Sequence, residues 1–387
     1  MKIFLACGGT GGHIFPAFSV AEELRGRDPR LEIIYLCGKK DIENAIFKLL
    51  RDEKVVSIES APFRGALSLL NPIFLLKLLS GFLKSRRLLR AERPALVVGF
   101  GGHTSFPVVF AAKRIGVKTL IHEQNVVPGV ANRWLAARVD GVALSFPDTR
   151  RYLTRLTNVR VTGNPIRSFI ERDSREEALR FFGFDPAKTT LLVLGGSQGS
   201  ESINQFCLEA LKLLPESLRS KMQVLHLCGK MPVESAESVF RTLAIRGKAY
   251  SFFERMDLAY GVADLALGRA GATFLAELAV KGIPAILVPY PYGGGHQRVN
   301  ADAYGSGHEA TVVEQKDLNA QMLADLLVKR LAEAESKKKS PGFSGSRPQA
   351  LARGTSAGAG ECPALSRPLG NSRALLADFI EESLKKP

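Results

Sequence analysis

Twice along this chain an apolar run without alternation ends in a cluster of glycines and then passes into a helical period. The first unit, Lys2–Gly26, opens "KIFLACGGTGGH", and the second, Thr189–Leu214, reads "TTLLVLGGSQGSESINQFCLEALKLL". A run that is apolar on both faces is the mark of a buried parallel strand, and the helix after it covers one face of the sheet. Similar runs stand at Glu32–Leu36, Ala95–Gly99, Lys118–Ile121, Gly141–Leu144 and Val159–Thr162, then at Gln223–Leu227, Leu265–Leu267 and Ala285–Val288, with helical stretches between them. The alternation predicts an α/β chain of two doubly wound, Rossmann-like domains facing a cleft, 1–162 and 163–336, hinged in "TGNPIR", Thr162–Arg167. Ligands are then expected beyond the carboxyl ends of the strands. The period vanishes over 337–372, which is rich in Gly, Ser, Pro, Ala and Arg and reads as a disordered insert or an aberrant segment. It returns as a terminal helix over 373–387.

Composition sharpens this picture in three places. No apolar run approaches the roughly 18–20 residues of a membrane span. The five cysteines are scattered, with no CxxC pair, so neither a zinc site nor a disulfide framework is expected and a reducing cytosol fits. The net charge of +15 asks for an anionic partner or surface. Part of the excess lies in residues 337–387, with nine Lys/Arg against four acids. More is concentrated in Arg64–Arg93, where Arg64, Lys77, Lys84, Arg86, Arg87, Arg90 and Arg93 alternate with leucines, Ile73, Phe74 and Phe82, and Glu92 is the sole acid. A basic rim beside apolar residues suits an anionic membrane surface. Nucleic acid is disfavoured, because its readers interleave stacking aromatics with the basic residues. An ordinary core helix with a solvated basic face is the competing reading.

The glycine clusters are where chemistry is expected. Gly8, Gly9, Gly11 and Gly12 lie between a strand and a helix, where backbone N–H groups and the helix N-terminus favour a phosphate. The spacing is neither GxGxxG nor a Walker A loop. His13 follows as a candidate base. "GFGGHTSFP", Gly99–Pro107, is a second glycine turn with its own histidine, His103, and "HEQN", His122–Asn125, follows the next strand. In the second half "GGSQG", Gly195–Gly199, repeats the cradle with Ser197 as a hydroxyl donor. "GRAGATFLAE" sets Arg269 near a helix start and Glu277 further in, where a carboxylate can hold ribose hydroxyls. Gln297 and Asn300 fall on one helix face as amides that both donate and accept toward sugar hydroxyls. There is no Asp-x-Asp, so no metal is expected; helix dipoles and Arg269 are left to stabilise a departing diphosphate.

Taken in order, "GGTGGH", "GFGG", "HEQN", "GNPIR", "GGSQG", "RAGA…E" and "HQRVNA" resemble the MurG family of bacterial N-acetylglucosaminyltransferases, glycosyltransferase family 28, over about residues 1–335. The resemblance implies the GT-B fold and an inverting transfer of GlcNAc from UDP-GlcNAc to the 4-hydroxyl of MurNAc in lipid I, giving lipid II for peptidoglycan, without a cofactor. It implies peripheral attachment to the cytoplasmic face of the inner membrane and a terminal helix packed back on the N-terminal domain. His13 and Glu123 become the catalytic candidates, and His122, Glu123 and Asn125 line the acceptor side. Gly8, Gly9, Gly101, Gly102 and His122 would meet the acceptor diphosphate. Thr10, Gly11, Gly12, Asn125, Arg167, Ser197, Phe253, Arg269, Glu277, Gln297 and Asn300 would bind the donor, Phe253 through its backbone against uracil. His103 stands where the family commonly has tyrosine, and 337–372 departs from the family pattern. A glycosyltransferase acting on another lipid and a UDP-GlcNAc 2-epimerase are the alternatives.

Overall fold

A computed structural model describes residues 1–8, 11–39, 53–61, 71–154, 156, 158–196, 199–292, 294–339 and 371–385. The chain divides into two compact units, Met1–Arg167 with Asn371–Pro387, and Ser168–Gly370.

Unit 1 is built on seven parallel strands: β1 (Lys2–Ala6), β2 (Glu32–Cys37), β3 (Lys54–Ser57), β4 (Leu96–Gly99), β5 (Lys118–Glu123), β6 (Gly141–Leu144) and β7 (Val159–Val161). Their order is 3-2-1-4-5-6-7. Helices α1 (Gly11–Arg27), α2 (Pro72–Glu92), α3 (Gly102–Arg114) and α4 (Val130–Leu135) join them. Both faces of the sheet are covered. Ile3 and Leu5 pack into one core with Val20 and Leu24 of α1, while Phe4 and Ala6 pack into the other with Val108 and Ala112 of α3. That two-sided burial is why β1 shows no alternation.

Unit 2 repeats the plan with six parallel strands: β8 (Thr189–Leu194), β9 (Met222–Leu227), β10 (Arg246–Tyr250), β11 (Leu265–Gly268), β12 (Ala285–Leu287) and β13 (Ala310–Val312), ordered 10-9-8-11-12-13. Its helices include α5 (Arg175–Phe182), α6 (Glu201–Leu213), α7 (Val233–Thr242), α8 (Met256–Val262), α9 (Ala272–Lys281), α10 (His296–Gly305) and α11 (Ala320–Lys339). In each sheet the strand order reverses between the first strand and its neighbour, β1/β4 and β8/β11, which creates a switch point at the carboxyl edge.

Three strands lack the apolar run that marked the others: β3 "KVVS", β10 "RGKAY" and β13 "ATV". All three are sheet edges, half-buried or exposed for most of their length. An edge strand has one open side, and the charges of Lys54, Arg246 and Lys248 guard it against further pairing.

Helix α11 continues to Lys339, into the stretch expected to be aperiodic from residue 337. Lysine is a good helix former and suits the negative end of the helix. Lys338 is also fixed: its Nζ lies 2.6 Å from the buried Asp264 carboxylate and donates to the Lys188 carbonyl at 2.6 Å. Asp264 takes Arg175 as a second cation at 3.2 Å and accepts from the Thr190 N–H at 2.9 Å. Residues 340–370 lie outside the described residues.

The last helix, α12 (Ser372–Lys385), starts one residue before the expected position and belongs to unit 1. Leu376, Ala377, Phe379 and Ile380 enter the same core as Ile3, Leu5 and Leu120. Around that contact Arg27 pairs with Asp378 at 2.7 Å and Arg160 with Glu382 at 2.6 Å. Lys118 donates to the Ser383 carbonyl at 3.2 Å, satisfying one of the acceptors left open at the helix end.

Candidate functional site

At the switch point of unit 1 two glycine turns meet. Gly101 and Gly102 have φ of 86° and 77°, the left-handed region open to glycine. A Cβ on Gly102 would stand 2.5 Å from the Gly8 carbonyl oxygen, so the turn after β4 closes against the turn after β1 only without a side chain. Gly9 and Thr10 lie outside the described residues. Gly11 and Gly12 open α1, and His13, half-buried, sits in its first turn. The space above Gly101 is bounded by His13 Nε2, Gln124 Oε1 and Asn132 Nδ2, each within 3.7 Å of where a Cβ would be.

Behind this edge the HEQN segment is sealed. His122 is fully buried; its Nε2 lies 3.0 Å from the Gly163 carbonyl and its Nδ1 3.0 Å from Gln124 Nε2. The carbonyl requires the ring proton on Nε2, and the amide N–H then donates to Nδ1. Burial pushes the imidazole down to about 4, so it is neutral at pH 7. Both ring nitrogens are committed inside the unit, which makes His122 a support for the loop. Glu123, 2 % exposed, accepts from Asn125 N at 2.9 Å, Asn125 Nδ2 at 3.2 Å, Gly129 N at 3.1 Å and Asn132 Nδ2 at 2.9 Å. Burial raises its carboxyl above the usual range, and these donors oppose the shift. Glu123 thus builds the turn that carries Asn125. Thr149 completes it by donating to the Asn125 carbonyl at 3.0 Å.

Arg167 is 4 % exposed and lies in unit 1, its guanidinium 4.1 Å over the ring of Phe15 in α1. His103 Nδ1 is 2.8 Å from Ser60 Oγ and 3.3 Å from Thr104 Oγ1, so hydroxyls hold the ring where a tyrosine was expected.

Unit 2 presents its own turn at the corresponding switch point. Gly196 and Gly199 have φ of 92° and 77°, and a Cβ on Gly199 would stand 2.7 Å from the Cys228 carbonyl. Ser197 lies outside the described residues. Ser200 caps α6. Behind the turn Asn204 donates to that Cys228 carbonyl at 2.8 Å and accepts from His226 Nε2 at 2.9 Å. His226 is fully buried and pushed down to about 4 by desolvation.

Arg269 is the centre of this edge. It is 8 % exposed and donates to Ser200 Oγ at 2.8 Å, Ser202 Oγ at 3.1 Å, Gln315 Oε1 at 2.6 Å and the Val288 and Pro289 carbonyls at 3.1 and 3.3 Å. All five acceptors are neutral. A buried guanidinium held by neutral groups keeps its field for an anion, and burial lowers its pKa. Glu277 is buried on α9 and accepts from the Tyr260 hydroxyl at 2.7 Å. Gln297 Oε1 accepts from Ala270 N at 3.1 Å and Tyr290 N at 3.0 Å, tying the loops after β11 and β12 to α10. Asn300, fully buried one turn on, donates to the Ala270 carbonyl at 3.4 Å. The ring of Phe253 packs against Tyr250, Phe182 and Phe181, with centroids 4.9, 5.3 and 5.8 Å away, and so anchors the backbone after β10. The supporting groups that sequence reading missed, Gln124, Asn132, Ser202, Tyr260 and Gln315, are ordinary polar residues. Only Gln124 carried a signal, as the unassigned member of HEQN.

Away from both edges, α2 exposes a face of Ile73, Leu75, Leu76, Leu79 and Leu83 together with Lys77, Lys84, Arg87 and Arg90. Asn71 caps it by accepting from Ile73 N at 2.9 Å. Glu92 is taken up by Lys2 and Lys54, which leaves the surface positive. Arg64 and residues 65–70 lie outside the described residues. Among the described residues no helix is long and apolar enough to cross a membrane. Nor does any group of three or more His, Cys, Asp or Glu among them suit a metal ion.

Two Rossmann-like units, each with polar turns at its switch point, are the architecture of the GT-B fold. The model of the glycosyltransferase family 28 N-terminal domain matches residues 3–144, and that of the C-terminal domain residues 190–351. The chain belongs to glycosyltransferase family 28. It is 38 % identical over 353 residues to the UDP-N-acetylglucosamine--N-acetylmuramyl-(pentapeptide) pyrophosphoryl-undecaprenol N-acetylglucosamine transferase of Halothermothrix orenii, covering 88 % of this chain and 92 % of that one. The similarly named protein of Chlorobaculum tepidum is 37 % identical, with 87 % and 92 % covered. The Acinetobacter baumannii MurG crystal structure superposes with a TM-score of 0.69 at 24 % identity over 98 % of this chain and 99 % of that one. A putative UDP-N-acetylglucosamine 2-epimerase from Listeria monocytogenes shares the fold, with a TM-score of 0.62 at 13 % identity over 87 % of this chain and 90 % of that one.

Proposed function

We propose that this chain transfers GlcNAc from UDP-GlcNAc to the 4-hydroxyl of MurNAc in lipid I, with inversion, and so makes lipid II. The observation that carries the donor side is Arg269, a buried cation held by neutral acceptors among the described residues, beside the capped start of α6. A diphosphate there meets a positive charge and a helix N-terminus together, and its departure needs no further acid. Glu277 then holds the ribose, and Gln297 and Asn300 the sugar hydroxyls. The names of the relatives agree with this substrate pair.

Of the acceptor-side candidates His13, His122 and Glu123, His13 is the one that keeps accessible surface among the described residues. His122 and Glu123 are sealed by their partners, whereas His13 is half-buried in the first turn of α1. His13 is therefore the proton acceptor in this reading. It takes the proton from the MurNAc hydroxyl as that oxygen attacks the anomeric carbon, and UDP leaves from the opposite face. The glycine turns at Gly8 and at Gly101–Gly102 receive the acceptor diphosphate. Attachment to an anionic membrane surface, on the cytoplasmic face, runs through α2, whose apolar face and basic rim suit lipid headgroups.

The test is transfer of labelled GlcNAc from its UDP conjugate to a short-chain lipid I analogue, with EDTA present, beside a His13→Ala variant. Product from the unaltered chain and its loss in the variant support the reading. UDP release without transfer points to an epimerase-like hydrolysis, and glycosylation of a different lipid points to another acceptor.

A further inference from the structure

The loop after β12 carries two large rings that the reading above does not use. Tyr290 is 45 % exposed and Tyr292 70 %, with centroids 5.4 Å apart and planes at 67°. A tyrosine ring in water leaves apolar surface unused, and a pair held edge to face keeps each ring in a fixed direction. The base of the loop is pinned through the Tyr290 N–H on Gln297 Oε1. Pro289 and Pro291 stiffen the backbone on both sides of Tyr290. The Tyr290 ring stands over the Arg269 guanidinium at 5.4 Å from its centroid. The ring therefore stands beside the cation assigned to the diphosphate, on backbone held by the amide assigned to the sugar hydroxyls.

We propose that Tyr290 is a specificity-determining contact for the sugar of the donor: its ring packs on the C–H face of the pyranose, and Tyr292 is a positioning residue that holds Tyr290 edge-on. This rests on the donor reading of Arg269 and Gln297. An aromatic face is negative and apolar, and the C–H face of a pyranose is its complement. The amide of Gln297 then fixes the rotation of the sugar, and the ring fixes its plane.

The test is calorimetric titration of the full chain with UDP and with UDP-GlcNAc, for the unaltered protein and for Tyr290→Ala, Tyr290→Phe and Tyr292→Ala. Tyr290→Ala is expected to weaken UDP-GlcNAc by about tenfold, the size of one aromatic stacking contact, while UDP changes by less than about twofold. Tyr290→Phe keeps the ring and binds both ligands as the unaltered chain does. Tyr292→Ala weakens UDP-GlcNAc alone, by about threefold, through a looser Tyr290 ring. If Tyr290→Ala does not fold, Tyr290→Leu keeps the bulk without the π face and is expected to show the same split. Equal weakening of both ligands, or no weakening of UDP-GlcNAc, overturns the proposal. Failure of the unaltered chain to bind either ligand overturns the donor reading itself.

Discussion

The glycine turn after β4 in unit 1 and the one after β8 in unit 2 share a plan and differ in charge. Each is backed by a buried neutral histidine that bonds to an amide, His122 to Gln124 and His226 to Asn204. Each amide then bonds a backbone carbonyl beside the turn, Phe100 in unit 1 and Cys228 in unit 2. Beyond that the units part. The loop of unit 1 is organised by a carboxylate, Glu123, which takes four N–H donors. The loops of unit 2 are organised by a guanidinium, Arg269, which gives to five acceptors. The same problem of fixing a turn at a switch point is solved once with a negative hub and once with a positive one. In the function proposed above, the positive hub is the one that meets the leaving diphosphate.

The largest expected difference between the units is in their separate stabilities. Phe379→Ala should cost unit 1 about 3–5 kcal/mol by opening a cavity under β5 and β6, and leave unit 2 alone. The chain has one tryptophan, Trp134, and it lies in unit 1. Trp fluorescence should therefore move to lower denaturant while the remainder of the far-UV circular dichroism transition stays.

The positive hub comes next. Arg269→Ala should weaken UDP by about a hundredfold, roughly 2.7 kcal/mol, because it removes the charge and leaves five acceptors without their donor. The same change should shrink the rise in melting temperature expected when UDP binds the unaltered chain. Calorimetry and thermal melts read both effects.

The shared feature sets a smaller and symmetrical effect. Both histidines are held at about 4, below the unfolded value near 6.5. A depressed histidine is stabilising to keep neutral, so the full stability is present above about pH 6.5 and is lost as pH falls toward 4. Each should remove about 2 kcal/mol by pH 5. His226→Gln should flatten that acid limb for unit 2 and not for unit 1, read from denaturant midpoints against pH.

The smallest effect is expected at His103. Its ring is held by hydroxyls, which a tyrosine hydroxyl can replace. His103→Tyr should change stability by under about 0.5 kcal/mol and transfer by less than about threefold.

Much of this was legible in the sequence, for reasons that can be named. Central strands such as β1 and β8 are buried on both faces, so their apolar runs announced the two sheets and the glycine turns that end them. The edge strands β3, β10 and β13 were silent, since an edge needs no apolar run. At the site, residues whose type is unusual in its place stood out: glycines after strands, His13, Arg269, Glu277. What stayed hidden was the division of labour among them. His122 and Glu123 look reactive in a sequence, and only their burial and partners show that they build the loop. Lys338 fell within the stretch read as a disordered insert or aberrant segment, and its buried partner Asp264 lies far away along the chain.

The return of α12 to unit 1 has a consequence for how the protein is made. Synthesis runs from the N-terminus, and domains commonly fold as they emerge. Here the core containing Ile3 and Leu5 lacks Leu376, Phe379 and Ile380 until all of unit 2 has been translated. The first unit to be made is thus the last to be completed, with apolar surface held open through the time it takes to build the second.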